Sequence, residues 1–169
     1  MRMITGVFYA VWLLILVIFQ PTLVQSIGIL GISPNIPLIF IVMTALFRGK
    51  KEGAICGAIF GFVFDVMIGR LIGVSSLLFM YIGILTGIVS ERIISDTGVI
   101  ASVILIFISN LVYATLYYIA YSMMWGDMGI ITAVTRVILP ECLYTAVFAI
   151  LLFFPIRKSF SIIRKRNFF

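Results

Sequence analysis

Long apolar segments alternate with short polar turns along this chain of 169 residues. No Asp, Glu, Lys or Arg occurs between Arg2 and Arg48. A single membrane-spanning helix needs about 20 residues, so this interval holds more than one, and Pro21 and Pro34 divide it. The pattern predicts an all-α integral membrane protein, a compact bundle of about six transmembrane helices, over about residues 5–25, 34–47, 53–69, 71–90, 98–123 and 131–155.

The second predicted helix is the shortest of the six. At roughly 14 residues it would be only ~21 Å long, so we expect a tilted or partly inserted helix that packs against its neighbours. Ser33 is its predicted N-cap, and Pro34 suits the first helical position, where a missing N–H group costs nothing. The last helix is predicted to end near Pro155. Residues 1–156 then form one transmembrane domain, and 157–169 form a basic tail.

Composition excludes several classes of protein. Hydrophobic residues make up 63% of the chain and charged residues 11%, against about 45–50% and about 25% in soluble domains. A soluble enzyme, a DNA-binding domain and a disordered tail are therefore excluded, and no nucleic acid partner is expected. Histidine is absent and only two cysteines occur. These counts predict no metal site, no cofactor and no catalytic set.

The basic residues cluster at the ends of the apolar segments, which is typical of membrane topology. Six spans with both termini in the cytoplasm place one group of basic residues inside: Arg2, Arg48, Lys50, Lys51, Arg92, Arg157, Lys158, Arg164, Lys165 and Arg166. In this topology Arg70 lies outside and Arg136 lies at the border of the last helix. The basic residues of the tail are expected to bind the cytoplasmic lipid surface, with a gain of about 1 kcal/mol for each, or to contact a cytoplasmic partner such as a filament. They are Arg157, Lys158, Arg164, Lys165 and Arg166.

Small residues recur every four positions on the third predicted helix. Gly53, Gly57, Gly61 and Gly69 follow this spacing, with Asp65 in the same register, and Gly83 and Gly87 repeat it on the fourth helix. Such a row lets two helices approach closely, with dispersion contacts and weak Cα–H···O bonds. Two interpretations stay open, namely packing within one molecule and a docking surface for another membrane protein.

Five charged residues are predicted to share the outer leaflet: Asp65, Arg70, Asp127, Arg136 and Glu141. They could form a structural ion-pair network, with Asp65 paired to Arg136, a contact site for a partner or small ligand, or an acid–base site. Pro140 should kink the last helix and free a backbone carbonyl at Arg136.

Four further residues are expected to serve packing. The pair Ser109-Asn110 is predicted to form a hydrogen bond between helices. Cys56 and Cys142 lie at depths too different for a disulfide, so both are predicted to be packing residues.

Several of these residues together resemble the family of the rod shape-determining protein MreD. The similarity rests on Pro34-Asn35, Arg48-Gly49, Glu52-Gly53-Ala54, the series Gly57, Gly61, Asp65, Gly69 and Gly73, and Pro140-Glu141. It runs from about residue 34 to 155 and extends loosely over the whole chain. The family often has an acidic residue where this chain has Asn35.

The resemblance implies a non-enzymatic scaffold of the bacterial cell-elongation complex in the cell (inner) membrane, involved in cell shape and lateral peptidoglycan synthesis. Expected partners are the lipid bilayer and an MreC-like bitopic membrane protein, with the actin-like MreB filament and the peptidoglycan polymerase and transpeptidase pair as indirect partners. It also implies a likeness to the vitamin-binding subunits of energy-coupling-factor transporters, so a substrate-binding transporter subunit is the alternative function. A lipid-modifying enzyme is a third possibility, disfavoured by the missing catalytic set.

Overall fold

The structure is a computed structural model that describes residues 11, 12, 15, 33–68, 73–93, 98–126 and 129–166. Its elements are helices α1 (Ile36–Arg48), α2 (Lys50–Ile68), α3 (Val74–Ile93), α4 (Val99–Trp125) and α5 (Ile130–Ala133), a π-helical turn (Val134–Ile138), and helix α6 (Leu139–Arg166). No strand occurs among these described residues, so the predicted all-α class is confirmed.

Helix α1 lies at the centre of the bundle. Every residue from Ile36 to Leu46 is buried, and a helix that is apolar on all sides needs neighbours all round. Its N-cap is Asn35, whose side-chain oxygen accepts a hydrogen bond from the Leu38 N–H at 3.3 Å. The prediction of Ser33 as the cap is therefore wrong, because the helix begins two residues later than expected.

Aromatic rings join α1 to the other helices. The ring of Phe40 stacks on Trp12 at 5.1 Å, on Phe60 of α2 at 5.2 Å and on Phe160 of α6 at 6.1 Å between centroids. Phe47, one residue before the end Arg48, also contacts Phe160, at 5.7 Å. These contacts place the last part of α6 beside the Arg48 end of the bundle.

Helices α2 and α3 form an antiparallel hairpin in which the two helices lie closer together than side chains between them would permit. A methyl group added at Gly57 would overlap the backbone carbonyl of Phe79, and one added at Gly83 would overlap the backbone of Gly53. Gly61 meets the Ser76 backbone in the same way. Backbone-to-backbone contact of this kind is what small residues at every fourth position permit.

The last helical segment accommodates its prolines without ending. Before Pro140, the chain widens into a π-helical turn, in which the Leu139 N–H donates to the Val134 carbonyl. Proline lacks an N–H group and would otherwise interrupt the helix. Helix α6 continues through Pro155 to Arg166, although the prediction ended it near Pro155. The expected tail over 157–169 is therefore helical as far as Arg166.

Three helical segments in the described part of the chain are long and apolar enough to cross a membrane: Val74–Glu91, Val99–Met124 and Ile131–Phe160. Helix α1 is shorter, with 13 residues, and α2 has charged residues near both ends. Most of the first predicted helix, over about 5–25, lies outside the described residues. The count of six spans therefore stays a prediction, while the helical membrane bundle is confirmed.

Candidate functional site

A cluster of polar side chains lies buried where α1, α4 and α6 meet. It comprises Asn35, Asn110 and Thr145, called here the polar cluster. The Asn35 side-chain amide donates to Asn110 Oδ1 at 3.3 Å, and the Asn35 backbone N–H donates to Thr145 Oγ1 at 3.1 Å. Asn110 Nδ2 lies 3.4 Å from Thr145 Oγ1 and 3.5 Å from Cys142 Sγ. The interhelical hydrogen bond predicted for Ser109-Asn110 is thus confirmed at Asn110, and it belongs to a network.

Glu141 borders this polar cluster. The side-chain amides of Asn110 and Asn35 donate hydrogen bonds to its carboxyl group. Glu141 is half-buried, whereas the three members of the polar cluster are buried. Two neutral amides of the polar cluster therefore face the carboxylate, and part of the Glu141 residue reaches the surface of the bundle.

Asp65 binds backbone N–H groups instead of forming the predicted ion pair. Its carboxylate accepts hydrogen bonds from three backbone N–H groups at the start of α3, those of Gly73 at 2.9 Å, Ser76 at 3.1 Å and Ser75 at 3.3 Å. A helix start leaves its first N–H groups without partners, and an aspartate oxygen satisfies them well. Asp65 thus caps α3 across the interhelical turn.

The structure does not bring Asp65 and Arg136 together as an ion pair. Arg136 is exposed on the π-helical turn, and Asp65 is buried and bonded to backbone. Arg70, Asp127 and Gly69 lie outside the described residues. The predicted outer charged layer is therefore described only at Asp65, Arg136 and Glu141, and no ion pair joins these three described residues.

The glycines of the predicted packing surface meet other parts of the same molecule. Gly57 and Gly61 of α2 lie against the backbone of α3, and Gly53 lies against Ala45 of α1 and Gly83 of α3. Gly87 of α3 lies against Lys50. This arrangement supports packing within one molecule. A docking partner that approaches the bundle would meet other surfaces.

Charged side chains at the Arg48 end form ion pairs that the sequence alone did not indicate. Lys50 Nζ lies 3.0 Å from the Glu91 carboxylate, and Arg48 Nε lies 3.4 Å from Glu52. Arg157 lies over the Phe153 ring, 5.6 Å from its centroid. Arg157 and Lys158 are exposed, while the side chains of Arg164, Lys165 and Arg166 are outside the description.

Two partners in these sites were not singled out from the sequence. Thr145 joins the polar cluster, and Tyr113 donates a hydrogen bond to Ser75 Oγ at 3.2 Å beside the Asp65 cap. A usable signal existed, because an isolated polar residue inside a long apolar helix needs a partner. The sequence could not say which polar residues meet, since that depends on how the helices are arranged.

A helical bundle with buried polar contacts and apolar outward faces defines this chain as an integral membrane protein of the polytopic helical class. The family model described as rod shape-determining protein MreD matches residues 1–163. The chain belongs to the MreD family and has a role in determining rod shape. No curated protein and no solved structure gives a significant match, so the likeness to vitamin-binding transporter subunits stays a prediction.

Proposed function

We propose that this chain is a non-enzymatic scaffold of the cell-elongation complex, which binds an MreC-like bitopic protein in the cell membrane. The family match over residues 1–163 is the observation that carries this proposal. Through that partner the chain would act with the MreB filament and with the peptidoglycan polymerase and transpeptidase pair.

The packing of the bundle supports a scaffold. The backbones of α2 and α3 touch at their glycines, and the polar cluster ties α1, α4 and α6 to one another. Lipid tails are as apolar as leucine side chains, so close packing and polar contacts are what fix helices relative to each other in a bilayer. A bundle fixed in this way can present a constant outer surface to a partner.

The distribution of charge supports the proposed orientation, with the Arg48 end in the cytoplasm. Five basic residues with described side chains lie at that end: Arg48, Lys50, Lys51, Arg157 and Lys158. Lysine and arginine accumulate on the cytoplasmic side of membrane proteins. The tail over 157–169 would then continue from the membrane toward the filament, with its basic residues near anionic lipids.

Depletion of the protein in a rod-shaped host tests the role in the cell. We expect the cells to round and to lose lateral peptidoglycan labelling, and the wild-type chain supplied in trans should restore both. Rods that keep their width and labelling after complete depletion would contradict the proposal.

Affinity purification of the full chain from mild-detergent extracts tests the partner. We expect a protein with one transmembrane segment to co-purify, and an unrelated tagged polytopic protein should not retain it. A tightly bound vitamin together with a vitamin requirement in depleted cells would instead indicate a transporter subunit.

A further inference from the structure

We propose that the Glu141 carboxylate is an intramembrane docking point for a cationic side chain, a lysine or arginine on the transmembrane segment of the bitopic partner. This inference rests on the proposed function, since it names the group through which that partner would bind. It also assigns a role to an acidic residue that neither the capping of α3 nor the packing of the hairpin uses.

The polar cluster does not depend on Glu141 for its own hydrogen bonds. Asn35 Oδ1 accepts from Leu38, Asn35 Nδ2 donates to Asn110, and Thr145 Oγ1 accepts from the Asn35 backbone. These bonds close a network among neutral groups. A carboxylate has room for about four hydrogen bonds, and the amides of Asn35 and Asn110 are two of its donors.

The charge of Glu141 has no cationic counterpart in the described part of the chain. The ion pairs within 4.0 Å that join two described residues are Arg48 with Glu52 and Lys50 with Glu91, and neither includes Glu141. Arg136, five positions earlier, is exposed on the π-helical turn. Ionisable residues inside membranes usually pair with another group and indicate functional sites.

Glu141 lies too deep for the headgroup of a lipid to be the favoured partner. It contacts Asn110, which lies near the middle of the spanning segment Val99–Met124. At a rise of about 1.5 Å per residue, Asn110 is roughly 16 Å from Val99 and roughly 21 Å from Met124. An amine on a lipid headgroup stays at the interface, whereas a lysine or arginine on a second helix can reach this depth.

The side of α6 that carries Glu141 suits a second helix. Val137, Glu141, Tyr144 and Phe148 follow one another at helical spacing, and all four are exposed or half-buried. Residues at i, i+4, i+7 and i+11 form one seam along a helix. A partner helix on this seam would place apolar side chains against Val137 and Phe148 and its cation against Glu141. A neighbouring π-helical turn fits this role, because such turns often occur at functional sites.

Co-purification of the bitopic partner with the tagged full-length chain tests the proposal. Glu141→Gln keeps the size of the side chain and one acceptor oxygen, and it replaces the charged carboxylate with a neutral amide. We expect it to weaken binding of the partner about thirtyfold or more, the order expected when one member of a buried charge pair is lost. Glu91→Gln is the matched control, because it removes a carboxylate at the Arg48 end of the bundle. It should leave capture of the partner unchanged.

Charge reversal gives a second, independent measurement. Glu141→Lys should abolish capture, and changing the complementary lysine or arginine of the partner to glutamate should restore it. If Glu141→Gln lowers the melting temperature of the purified chain, this reversed pair decides the question. Restored capture supports the proposal, and failure to restore it with any basic residue of the partner's transmembrane segment overturns it.

Each remaining outcome also has a definite meaning. Wild-type capture by Glu141→Gln would overturn this inference while leaving the proposed function intact. Retention of an amine lipid that depends on Glu141, with unchanged capture of the partner, would also overturn it. If the wild-type chain captures no bitopic protein at all, the proposed function fails together with the inference.

Discussion

Gly61→Ala tests whether backbone contact between α2 and α3 holds the hairpin together. A β-carbon added at Gly61 would lie 2.5 Å from Ser76 Cα, 2.7 Å from the Ser75 carbonyl oxygen and 2.8 Å from the Ser76 nitrogen. Ordinary van der Waals contact begins at 3.4 Å. Because all three atoms belong to the backbone, no side chain can turn aside. The two helices must therefore separate by about 0.9 Å, the difference between 3.4 and 2.5 Å.

Two costs follow from this separation. A gap of 0.5–1 Å loses roughly a quarter to a half of each dispersion contact across it, and overpacking in well-packed sites costs about 1–3 kcal/mol. The move also lengthens the hydrogen bonds that Ser76 makes with Asp65, at 3.1 Å, and with the Ala58 carbonyl, at 2.9 Å. Each is worth about 0.5–1.5 kcal/mol. Alanine returns about 1 kcal/mol through its higher helix propensity. The net loss of stability is about 1–3 kcal/mol.

Thermal unfolding of the purified chain in detergent measures this loss. For a chain of this size we expect Tm to fall by roughly 2–12 °C, at about 2–4 °C for each kcal/mol lost. Gly98→Ala is the matched control, because its added β-carbon would meet no atom within 4 Å and its φ is −71°. If Gly61→Ala unfolds at or above the wild-type temperature, helix propensity outweighs the contact and the reasoning is wrong.

Three further substitutions have expected outcomes that the same unfolding assay can measure. Asp65→Ala should destabilise the protein strongly, because it leaves buried N–H groups without an acceptor at about 1–3 kcal/mol each. Asp65→Asn keeps one oxygen and should destabilise the protein less. Equal melting temperatures of the two variants would contradict the capping role. Asn110→Leu should cost up to about 1.7 kcal/mol by removing interhelical hydrogen bonds, and Thr115→Ala, which alters a bond within its own helix, should change little. Reversing the charge of Lys50 or of Glu91 alone should lower the free energy of unfolding by about 0.2–1 kcal/mol, and reversing both charges should restore it. If the effects of the two single reversals simply add in the double variant, the two side chains do not interact.

The apolar pattern and the four-residue spacing of small residues predicted the class of protein, and they did so for a physical reason. A bilayer requires long apolar helices, and Gly57 and Gly61 let the backbone of α3 approach α2. Both features are properties of one helix or of two neighbours in sequence. They can therefore be read without knowledge of the whole bundle.

Contacts between distant segments could not be predicted in the same way. Asn35 and Thr145 are separated by 110 positions, and only the position of α1 at the centre of the bundle brings them together. An ion pair with Arg136 was one interpretation of Asp65, yet its carboxylate accepts from backbone N–H groups. A carboxylate can accept from either kind of donor, and the choice depends on the path of the turn before α3. Proline likewise did not predict where the last helix ends, because that helix continues through Pro155.

Polar residues and glycines together account for how this bundle selects one arrangement of its helices. Between apolar helices in lipid, one leucine contact is nearly as favourable as another, so apolar side chains alone do not fix a register. Turning α2 about its axis by one residue would place the side chain of Cys56 or Ala58 where Gly57 now meets Phe79, and would draw Asp65 away from the backbone N–H of Ser76. The polar cluster imposes the same condition on α1, α4 and α6, since a hydrogen-bonding group that loses its partner in the membrane has no water to replace it. Many outward-facing apolar positions can therefore vary, whereas these few residues determine the arrangement that a partner would bind.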